Sequence, residues 1–81
     1  MSQISLVRTS KLTTGKIKTK AKKTFADKHE MILEEESVCC LSFTGGGGFV
    51  DITIQEEENQ TLVEIKSREW VEVSKDFIKK L

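Results

Sequence analysis

The chain contains no proline and no tyrosine, one tryptophan, one histidine and two cysteines in 81 residues. Without proline there is no rigid linker to divide it, and the length suits one small domain over residues 1–81. The single histidine, His29, has no serine or cysteine close in sequence with an acid to orient it, so no nucleophile and base are signalled. His29, Cys39 and Cys40 supply three zinc ligands at most, at neither finger nor ribbon spacing. No metal site, cofactor or catalytic residue is therefore expected. Apolar runs are too short for a membrane span. The opening residues, Met1 to Arg8, lack the apolar centre of a secretory signal. Cys39 and Cys40 are adjacent, and neighbours in a strand point to opposite faces. Two free thiols are the expectation, and with them a reducing, cytoplasmic setting.

There is also no net charge: thirteen bases balance thirteen acids. Bulk charge thus gives no pull toward nucleic acid or membrane. The balance hides a segregation. Residues 1–29 carry eight bases against Asp27, residues 30–64 carry nine acids and no base, and residues 65–81 carry five bases and three acids. Either the segments neutralise each other in the fold or each meets its own partner.

What is present reads as alternating strands and helices. Residues 3–8 alternate as a first strand. Ile17, Ala21 and Phe25 recur every four residues and predict a helix over residues 15–29, with Thr14 as its cap. Met31 to Leu33 and Val38 to Phe43 are apolar runs, and Val50, Ile52 and Ile54 alternate with polar residues. Glu58 to Gln60 reads as a tight turn before a strand from Leu62 toward Trp70. Ser74 is the expected cap of a short last helix containing Phe77, Ile78 and Leu81. The order predicts an α+β two-layer sandwich. Its antiparallel sheet of three to five strands carries a longer N-terminal helix and a short C-terminal helix on one face.

Four surfaces are candidates for function. Gly45 to Gly48 resemble a phosphate loop in composition only: a strand pattern follows where a cradle needs a helix. A flexible hairpin loop is expected instead, pairing Thr44 with Phe49. That register, continued outward, sets Glu36 opposite Glu57 and Glu35 opposite Glu58. Glu34, Glu35, Glu36, Glu56, Glu57 and Glu58 would then form one acidic end, destabilised by like charges across the strands. On the helix, Lys16, Lys20 and Lys23 share one flank of the apolar stripe, and Lys18 and Lys22 share the other. The first trio is the candidate contact for phosphates. No aromatic interleaves with it, which argues against stacking on single strands. Trp70 falls on the polar side of its strand by parity and is a candidate interface anchor, or else turns onto Phe77.

These features predict a soluble, non-catalytic interaction or structural domain, with a protein partner or self-association. Weak, non-specific binding of nucleic acid or another anion through the lysine helix is the alternative.

Overall fold

A computed structural model of the chain describes residues 3–81. Five strands and two helices follow in the order β1 (Gln3–Ser10), α1 (Thr14–Ala21), β2 (Ile32–Glu36), β3 (Cys40–Gly45), β4 (Gly48–Glu57), β5 (Gln60–Arg68) and α2 (Val71–Lys79). The strands form one antiparallel sheet in the order β1-β5-β4-β3-β2. β2 to β5 thus run as a meander, and β1 returns to pair with β5.

Alternation along the strands builds the core. Leu41 and Phe43 of β3, Val50, Ile52 and Ile54 of β4, and Val63 and Ile65 of β5 are all buried. Their registers place them on one sheet face. The helices contribute Ile17, Ala21, Phe25, Phe77 and Ile78 to the same cluster. Phe25 lies between the layers, its ring centroid 5.4 Å from Phe43 and 5.3 Å from Phe77.

The N-terminal helix departs from the expected longer α-helix. Regular α geometry covers only eight residues, fewer than the nine of α2, and a π-helical segment continues it over Lys22–Lys28. The apolar spacing accounts for the change. In an α-helix a four-residue repeat drifts about 40° per step, so Phe25 would sit about 80° around from Ile17. The wider π turn rotates less per residue and takes back part of that drift. Ile17, Ala21 and Phe25 are accordingly all at 0% exposure. The cap is Thr13 rather than Thr14, its side chain accepting from the Lys16 backbone N–H.

Other expectations are corrected at element ends. β3 begins at Cys40, and Val38 stands 92% exposed in the preceding loop. Cys39 therefore lies outside the pleat that would send the two cysteines to opposite faces. Cys39 and Cys40 are joined as a disulfide instead of remaining free thiols. With the two cysteines bonded, free thiols no longer point to a reducing compartment. α2 starts at Val71, so Ser74 is a buried helix residue and not a cap.

The Gly45–Gly48 segment is a tight turn, not a flexible loop. Gly45 pairs with Gly48, and Gly46 and Gly47 both have positive φ, which a two-residue hairpin of this hand requires. The expected pairing of Thr44 with Phe49 is present. Close approach explains a further glycine: a Cβ at Gly48 would stand 2.0 Å from the Arg68 carbonyl oxygen. Trp70 completes this corner. Its Nε1 donates to the Gly45 carbonyl at 2.8 Å, and its ring meets His29 edge-on at 5.7 Å. It turns onto the glycine hairpin and His29 instead of Phe77.

Candidate anion-binding face

The buried stripe of Ile17, Ala21 and Phe25 divides the lysines of the helical run into two groups, and the sheet treats them differently. Lys18 and Lys22 face β2. Lys22 Nζ lies 2.9 Å from one Glu36 carboxylate oxygen, and Lys18 Nζ lies 3.9 Å from the other. Lys18 also donates to the Ser37 carbonyl. The hydrogen bond from Lys22 holds the Glu36 carboxyl below the usual carboxylate range, partly opposed by desolvation and reinforced by the charges of Lys22 and Lys18.

Glu36 reaches the helix because β2 is bulged. The register shifts between Leu33 and Glu35, leaving Glu36 opposite Leu41 on the core-facing side.

Lys16, Lys20 and Lys23 are exposed and make no ion pair among the described residues. They line two adjoining shallow grooves. One, of about 330 Å³, is bounded by Gly15, Lys16, Thr19, Lys20 and Lys23. The other, of about 210 Å³, is bounded by Lys20, Lys23, Thr24, Phe77 and Lys80. No carboxylate lines either groove. Lysine stems and the Phe77 edge supply apolar floor, while the ammonium groups reach water. Asp76 enters only at the next groove, beside Lys28 and His29.

Sequence reasoning did not include Lys80 in this group. Its signal was faint: Lys79 and Lys80 suit a helix C-terminus for dipole reasons alone. Only the packing of α2 across the π segment brings Lys80 beside Lys20 and Lys23.

The glutamates do not form the single acidic end that the hairpin register implied. Glu34, Glu35 and Glu36 belong to β2, a separate strand on the far side of β3. Glu56 and Glu57 lie at the end of β4, and Glu57 pairs with Gln60. The β3–β4 register cannot continue past Cys40 because the chain turns back at residues 37–39, where the Ser37 N–H donates to the Cys40 carbonyl. Each group has local partners: Thr44 donates to Glu34 and Thr14 donates to Glu56. Among the described residues no group of three or more histidine, cysteine, aspartate or glutamate side chains is arranged for a metal ion. No described helix is long and apolar enough to cross a membrane.

Trp70 is half-buried, its indole committed to the glycine turn. No protein-family model matches the chain, and no curated protein aligns closely with it.

Proposed function

We propose that this chain is a small, non-catalytic interaction domain. Its lysine face (Lys16, Lys20, Lys23 and Lys80) binds the phosphates of a nucleic-acid backbone weakly and without sequence preference. The observation that carries this is the sorting of the helix lysines. Lys18 and Lys22 share the Glu36 carboxylate, which offsets one of their two charges, whereas the other flank lines two grooves free of carboxylates. Positive charge without local neutralisation is the footprint of phosphate contact.

The face is too small for more than a modest site. Lys16 to Lys23 spans about 10 Å along the helix axis, enough for two or three phosphates. Its side chains are lysines, which act on phosphate as point charges and lack the planar fork of arginine. Weak, salt-sensitive binding follows.

Fluorescence anisotropy with short labelled duplex and single-stranded DNA and RNA tests this at low salt. Replacing Lys16, Lys20 and Lys23 together by alanine is expected to remove binding. Replacing Lys18 and Lys22 by alanine should leave it close to wild type. Equal losses in both variants would show that overall charge, and not this face, is responsible.

A further inference from the structure

The two edges of the sheet are built differently. β2, at one edge, has five residues, a bulge and the three glutamates Glu34, Glu35 and Glu36. Short length, bulges and charge are the usual devices against pairing with another sheet. β1, at the other edge, is neither short nor bulged, and it carries a single charge. It has eight residues in unbroken register with β5, and Arg8 is its one charged side chain. Val7 is 61% exposed, and Gln3, Ser5, Arg8 and Thr9 are exposed with it. One side of β1 is satisfied by β5, and the other presents its backbone N–H and C=O groups outward.

From this asymmetry we infer that β1 pairs with β1 of a second copy of this chain, joining two sheets into one of ten strands. The guarded β2 edge explains why the contact closes. A β1-to-β2 contact between copies would propagate as a filament, whereas β1-to-β1 pairing around a twofold axis uses the same edge in each copy and ends at a dimer.

The side chains fit that symmetry. A twofold axis normal to the sheet keeps the helices of both copies on one side and opposes residues whose numbers differ by an even step. With Leu6 opposite its own counterpart, Ser5 faces Val7 and Ile4 faces Arg8. No like charges meet, and β1 contains no acid to oppose another. The strand spans about 26 Å, so the seam is narrow and the dimer weak.

Sedimentation equilibrium of the full chain from about 5 µM to about 500 µM covers the range in which a narrow seam associates. A monomer–dimer equilibrium is expected. A monomer throughout, or growth past the dimer, overturns the inference. Replacing Ser5 and Val7 together by lysine sets like charges opposite each other across the seam. It should weaken association at least about tenfold, whereas Val7→Thr should leave it unchanged. Undiminished dimerisation of the lysine variant would place the interface elsewhere. Should that variant fail to fold by circular dichroism, hydrogen exchange of the native chain decides the matter. Amide exchange in β1 must slow as concentration rises, and unchanged β1 exchange in a sample that dimerises refutes the assignment.

Discussion

Replacing Gly48 by alanine should be among the most damaging single changes available on the surface of this fold. A Cβ at that position would stand 2.0 Å from the Arg68 carbonyl oxygen, 2.7 Å from Glu69 Cβ and 3.0 Å from the Arg68 carbonyl carbon. Two of these are backbone atoms of β5, so no side-chain rotation relieves the overlap. β4 and β5 must separate at Phe49 and Arg68, which pair beside it, and the Trp70 hydrogen bond to Gly45 lies in the same corner. Overpacking against backbone costs about 3 kcal/mol at the upper end of its usual range. In a domain of this size that corresponds to a fall in Tm of about 12–24 °C. It would be a large share of the about 4–12 kcal/mol expected for the whole chain. Two other glycines calibrate the effect. Gly47 has φ +80° with open space around it, so alanine there should cost about 1 kcal/mol of backbone strain. Gly15 is helical with nothing within 4 Å, and alanine there should stabilise by about 0.5 kcal/mol. Urea denaturation of the three variants gives the order directly. A Gly48→Ala midpoint equal to or above that of Gly47→Ala would refute the close-approach reasoning.

Phe25→Ala removes the ring that joins both layers and should cost about 3–5 kcal/mol in urea denaturation, near the limit of folding. Ser74→Ala should raise stability by about 1 kcal/mol, because the Ser74 hydroxyl is buried without a hydrogen-bond partner and alanine is the better helix former. Glu36→Gln should flatten the acid limb of the stability profile. The depressed Glu36 pKa means that its ion pairs stabilise the fold above the ordinary glutamate value of 4.5 and are lost as pH falls through the lower folded value. Thermal melts of wild type and variant should therefore converge below that range and differ above it.

Much of the architecture was legible because period-two alternation in β4 and β5 is uninterrupted, and the glycine hairpin fixed the pairing of Thr44 with Phe49. The lysine flanks were legible too, since helical spacing alone separates Lys16, Lys20 and Lys23 from Lys18 and Lys22. What stayed hidden depends on contacts between distant segments. Glu34 to Glu36 form a charged edge strand, which has no apolar alternation to reveal it. The π segment left only a strict four-residue repeat as its trace, which reads equally well as an ordinary helix. Strand parity does not carry through to Trp70, because Glu69 adopts φ +70° and turns the chain. Lys80 joined the lysine face only through the docking of α2.

The salt dependence of binding tests the lysine face most directly. Three neutralised phosphates give a slope of about −2.7 for log affinity against log salt on duplex DNA. Lys16→Ala, Lys20→Ala and Lys23→Ala made singly should each reduce that slope by about 0.9, with Lys18→Ala leaving it unchanged. An absence of binding at the lowest salt, or a slope indifferent to all three substitutions, would contradict the assignment of this face as the binding surface.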